Sequence, residues 1–170
     1  PGMNSGEIDI DYTVLSAQYN GEKWQFTGEV AFENVDYVDI GGPVSQMNIN
    51  SIGYYLQASY NFTPAWQAFI RYEEFQLNKH DWNGKEAARQ NRINSQQLAS
   101  LGINQAPVPA HEYYSKSWVL GGRWHVTHNV MLRAEYHIVE GVATLSPREN
   151  TVTDTSKRWD MFAMSLSYRF

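Results

Sequence analysis

The sequence predicts an all-β chain, an antiparallel transmembrane β-barrel with about seven visible strands and long loops on one side. Three patterns predict it. Apolar and polar residues alternate with a period of two through successive stretches, the mark of strands with two unlike faces. Short and long connections alternate along the chain. Large aromatic residues gather beside the short connections, as a belt at one membrane interface would require.

The first predicted strand is Ile8 to Tyr19, with Thr13, Leu15, Ala17 and Tyr19 on one side. Asn20-Gly21 then supplies a hairpin signal. The second strand, Lys23 to Asn34, puts Trp24, Phe26, Gly28, Val30 and Phe32 on one face and Gln25, Thr27, Glu29, Ala31 and Glu33 on the other. A polar loop with Gly and Pro is expected from about Val35 to Asn50. The third strand is Ser51 to Phe62, and Thr63-Pro64-Ala65 makes a tight turn into a fourth, Trp66 to Leu77.

The longest connection runs from Asn78 to about Tyr114. Within it Asn83 to Gly102 reads as a helix, with Asn83 as cap and Gly102 as closure. Pro107 and Pro109 forbid regular structure beyond. Strand five is Lys116 to Val126, the short turn is Thr127-His128-Asn129, and strand six is Val130 to Val139. The polar stretch Glu140 to Lys157 leads into the last strand, Arg158 to Phe170, where Phe162, Met164, Leu166, Tyr168 and Phe170 share one face.

The 170 residues suffice for one domain. Without cysteine there is no disulfide scaffold and no thiolate metal site. A net charge of -5 argues against nucleic acid as a partner. No run approaches the roughly 20 apolar residues of a membrane helix. A mean hydropathy of -0.51 suits a barrel whose strands are apolar on one face only. The chain starts at Pro1 without a start Met and shows seven strands, whereas single-chain bacterial barrels have an even number. The expectation is therefore a mature chain or the C-terminal part of a larger barrel.

A water-soluble barrel or sandwich also alternates. Turned inward, however, the apolar face would crowd Trp24, Phe26, Tyr54, Trp66, Trp118 and Trp124 into an interior that eight strands only just fill. The aromatics Trp24, Tyr60, Phe62, Trp66, Trp124, Tyr168 and Phe170 all fall beside a short turn or the last residue, as a girdle would. The membrane reading follows, with the other face lining an aqueous lumen.

That lumen face carries Arg71, Arg123, Arg133 and Arg169 with Glu29, Glu33, Glu73 and Glu135. Tyr55, Gln57, His125 and His137 add donors and acceptors. Charge at membrane depth is costly unless it faces water or a partner. Arg71, Arg123 and Arg133 stand at similar heights above the short turns, and such a basic wall attracts anions or polar solutes. Arg–Glu pairing that merely holds the barrel shape accounts for any one of these residues equally well.

The terminal strand, with apolar residues at alternate positions and Tyr168-Arg169-Phe170 at its end, resembles the assembly signal of Gram-negative outer-membrane barrels. With the girdle and long loops, most of the chain resembles a porin, while any likeness to the phosphate-selective O/P type is faint and assigns no substrate. The resemblance implies passive diffusion of small hydrophilic solutes or ions across a bacterial outer membrane, no enzyme activity and no cofactor. It implies extracellular long loops and a homotrimer. In porins a long loop often narrows the pore; here that is 78–114, with Lys85, Arg89 and Arg92 as candidate lining charges, although an external cap or subunit contact fits the loop equally well.

Other readings stay in view. A plugged or partner-binding barrel would share this pattern. A lipid-modifying enzyme would need a nucleophile and base, for which His137 beside Glu135, or His125 with Ser165 or Ser167, are the candidates, but no local motif marks a nucleophile. Asp9 with Asp11, and Asp36 with Asp39, are weak Ca²⁺ candidates in what read as solvated acidic stretches.

Overall fold

Alternating side chains sort onto two faces when neighbouring strands pair in register, and the neighbouring pairs here do so, apart from one register shift between Asn61 and Thr63 beside the turn to Trp66. The computed structural model describes residues 6–38, 46–146, 148–152 and 154–170. They form one antiparallel sheet in chain order: β1 (Glu7–Asn20), β2 (Trp24–Val38), β3 (Gln46–Thr63), β4 (Trp66–Gln76), β5 (Tyr114–His125), β6 (Val130–Gly141) and β7 (Arg158–Tyr168). A helix, α1 (Lys85–Ser100), and a 3₁₀ turn (Ala110–Tyr113) lie between β4 and β5. Among the described residues β1 pairs only with β2, and β7 only with β6.

The two faces differ in environment as sharply as in composition. The apolar face is open, with Leu56 63 % and Phe162 65 % exposed. The polar face is crowded, with Val119 fully buried and Phe69 8 % exposed. Strands two apart lie about 10 Å from each other. Yet on the polar face Gln67 Nε2 donates to Gln25 Oε1 across β3 at 3.0 Å, and Arg71 Nη2 reaches Glu135 Oε2 across β5 at 3.7 Å. The sheet therefore curls around its polar face. A water-soluble sandwich would bury the apolar face instead.

The strands are also sheared. One register row on the outward face runs Phe26, Ala58, Ile70, Leu120, Tyr136, Phe162. Phe26 is the third residue of β2, Ile70 the fifth of β4 and Tyr136 the seventh of β6, counted from each short connection. A row thus climbs away from the short-turn side as it crosses the sheet, which is the tilt a barrel wall needs.

Rings mark the two edges of the apolar band. At the short-turn side Trp24 packs on Tyr60 at 4.8 Å, Tyr60 on Phe62 at 4.9 Å, and Trp66 stacks on Trp124 at 4.8 Å. At the other edge Tyr72 packs on Trp118 at 4.9 Å and on Tyr54 at 6.2 Å. This upper set was not singled out by the sequence.

Three expectations need correction. The loop expected from Val35 to Asn50 is strand as far as Val38 and again from Gln46. Its Asn and Asp residues read as turn formers, but Asn34, Asp36, Asn48 and Asn50 satisfy one another in a side-chain ladder on the outward face. Next, Asn83 does not cap the helix. Asp81 accepts from the backbone N–H groups of Lys85 at 3.0 Å and Ala87 at 2.9 Å, while Gly84 takes a left-handed φ of 61°. Finally, Asn20 still pairs with Gln25, so the first hairpin closes through a longer connection, with Gly21 N–H bonded to Trp24 O at 2.8 Å.

Candidate functional site on the concave face

The concave face is organised around an aromatic ring that sequence patterning left unremarked. Phe69 points into the polar side of β4, directly opposite Gly121 of β5. The missing side chain at Gly121 gives the ring its room. Two guanidinium groups lie over it, Arg71 at 5.7 Å and Arg133 at 5.4 Å from the centroid. Cations at such distances are attracted by the ring's electron-rich face. The only available signal was an aromatic in a polar row facing a glycine across the next strand.

Glu135 of β6 is the shared anion. It pairs with Arg133 and, at 3.7 Å, with Arg71, and its other contact is His137 Nε2 at 3.1 Å. Arg71 also pairs with Glu73, and its Nη1 donates to Gln57 Oε1 at 3.2 Å. The alternation of β4 and β6 puts these groups on one side, and the curl brings β4 to β6 over the glycine of β5.

Arg123 is different. It stands directly opposite Arg133 in the β5–β6 register. Like charges across a strand pair repel. Arg133 has Glu135 as counter-charge, whereas Arg123 makes no ion pair among the described residues, and its Nε is buried without a hydrogen-bond partner. Three guanidinium groups here face two carboxylates, Glu73 and Glu135.

The remaining predicted residues are spread out. Glu29 accepts from Ser16 Oγ at 2.8 Å, separated from Glu73 by Tyr55 in the same row. Glu33 accepts from Ser51 Oγ at 2.9 Å. Arg169 lies past the end of β7, where its backbone N–H bonds Asn129 O at 2.9 Å, so it belongs to the short-turn rim. His137 and Glu135 do meet, but the register aligns His125 with Met131 and Ser167 without a hydrogen bond to either Ser165 or Ser167 among the described residues. No group of three or more potential metal ligands occurs among the described residues, and Asp39 lies outside them.

The long segment between β4 and β5 is anchored on the outward side. Trp82 packs on Tyr54 at 6.4 Å, and Lys116 Nζ donates to Asn83 Oδ1 at 3.1 Å. Both strand partners are on the apolar-face register. Lys85, Arg89 and Arg92 line a cleft between α1 and the returning Pro107–Ala110 segment, and Arg89 is paired with Glu86.

A curled antiparallel sheet with a lipid-compatible exterior and a charged concave wall is the architecture of a porin-type outer-membrane protein. The family model for phosphate-selective porin O and P matches residues 7–170, and the chain belongs to that family. Membership locates the protein in the bacterial outer membrane and makes it a channel protein, not an enzyme. No curated protein and no solved structure matches the chain.

Proposed function

We propose that the concave face lines a water-filled pore through which small hydrophilic solutes diffuse passively, with a preference for anions. The observation that carries this reading is Arg123 opposite Arg133, with only Arg133 neutralised. Burying a guanidinium in a dry, plugged lumen without a partner is costly. In a wet lumen the same group is solvated and offers its donors to passing anions. The family's description as phosphate-selective points the same way.

In this reading residues 1–170 form one barrel domain or part of one, and further strands complete the wall between β1 and β7. Arg71, Arg123, Arg133, Glu29, Glu73, Glu135 and His137 line the pore, with Arg169 at its short-turn mouth. Anchoring of Trp82 and Asn83 on the outward side favours an external cap or subunit contact for Lys85, Arg89 and Arg92 over a constriction. A homotrimer accords with that contact, and chemical cross-linking in detergent would count the subunits. Swelling of liposomes that contain the full-length protein tests the pore itself. Swelling in small sugars that fades with solute size is expected; folded protein that admits none of them contradicts an open lumen and favours a plugged barrel.

A further inference from the structure

The outward face carries a feature that solute passage does not use. Ala17, Gly28 and Ala58 are small, and with Phe26, Leu56 and Ile70 they bound an apolar trough of about 720 Å³. Its far end is walled by Tyr72 and Trp118. The same two rings wall a second cleft of about 680 Å³, where Lys116, Glu140, Arg158 and Asp160 join Ile138 and Trp159 in a mixed lining.

The shear sets the direction. Phe26 is the third residue of β2 and Trp118 the eighth of β5, counted from the short connections. At about 3.3 Å per residue and a tilt near 45°, the trough climbs roughly 12 Å toward the long-loop side. The charged cleft therefore sits above the trough, at the upper edge of the apolar band. An oily channel that opens into a charged cleft at that level has the polarity profile of a membrane lipid.

Charge narrows the choice. Arg158 is 79 % exposed and, among the described residues, gives only its Nε to Glu140, at 3.3 Å. Lys157 also reaches Glu140, at 3.2 Å. Lys116 Nζ lies 3.4 Å from Glu74, which already accepts from the hydroxyls of Tyr54 and Tyr72 and the amide of Gln76. Arg158 keeps its Nη groups for the cleft and Lys116, which also donates to Asn83 at 3.1 Å, keeps one N–H, while Glu140 and Asp160 on the wall oppose a doubly charged head. We propose that this face seats one acyl lipid with a phosphodiester headgroup, its chain in the trough and its phosphate against Arg158 and Lys116.

The test is native mass spectrometry of the full-length protein, folded in neutral detergent and titrated with dioleoyl phosphatidylglycerol. Dioleoylglycerol and glycerol phosphate serve as chain-only and head-only probes. Saturable binding of the phospholipid is expected, weakened at least tenfold by Arg158→Gln and by Ala58→Phe, with neither probe matching it. Ala17→Leu, on the exposed β1, replaces Ala58→Phe should that variant lose its heat-modifiable gel mobility. Equal binding of dioleoylglycerol, unchanged affinity in the folded head and trough variants, or no saturable lipid would overturn the assignment. Conductance is not read, so the outcome is separable from that of the pore.

Discussion

The ring of Phe69 occupies the space that a side chain at Gly121 would need. A Cβ built there would come within 3.0 Å of three ring atoms, closer than real Cβ contacts allow. This pairing fixes the ring over which Arg71 and Arg133 are held, so a backbone hydrogen on β5 helps position charges on β4 and β6.

Gly121→Ala should therefore displace the ring and cost about 1–3 kcal/mol, the usual penalty of overpacking. Phe69→Ala should cost about 3 kcal/mol. In the Phe69→Ala background the Gly121→Ala penalty should largely vanish, a coupling that a double-mutant cycle of urea unfolding in detergent measures. Additive penalties would show that the two residues act independently.

Removing the shared anion should change selectivity as well as stability. Glu135→Gln leaves Arg71 with Glu73 and leaves Arg133 without an ion-pair partner among the described residues. A loss of about 1–3 kcal/mol is expected from the broken charge-assisted bonds. Reversal potentials should move toward stronger anion preference, and a shift toward cations would contradict the wall described here.

The Trp66–Trp124 stack, with rings 4.8 Å apart and 12° from parallel, predicts an interfacial depth. Trp124→Leu should lose about 0.5–1.5 kcal/mol beyond the area change. In a protein keeping only Trp66 and Trp124, lipids brominated high on the chain should quench fluorescence more than those brominated near the tail. Stronger quenching by the deep label would place the stack at mid-membrane instead.

Acid should loosen the first turn of α1. The hydrogen bond from Arg89, chiefly, holds the Glu86 carboxyl below its ordinary value of 4.5. A depressed folded value stabilises above the unfolded pKa, and that contribution disappears as pH falls through the folded one. Helical circular dichroism should show a small loss under acid, and Glu86→Gln should remove that dependence while lowering helicity at neutral pH. The exposed position keeps the effect local.

Periodicity made the sheet legible because a strand with one lipid-facing side repeats its chemistry every second residue. The same rule placed Arg71, Arg123, Arg133 and Glu135 on one face. It did not show that Arg71 meets Glu135 across an intervening strand, since the strand between them presents Gly121 there, and what a missing side chain makes room for appears only when strands are paired. Turn-forming Asn and Asp hid the upper parts of β2 and β3, because their side chains bond to one another across the register instead of to their own backbone. The cap role went to Asp81 for a related reason: Lys116, distant in sequence, holds Asn83.

The most direct measurement is single-channel recording of the full-length protein in a planar bilayer under a salt gradient. Stable conductance steps with an anion-selective reversal potential are predicted, and Arg123→Glu should weaken or invert that selectivity without abolishing the steps. Folded protein that conducts nothing, or a pore whose selectivity ignores Arg123, would contradict the account.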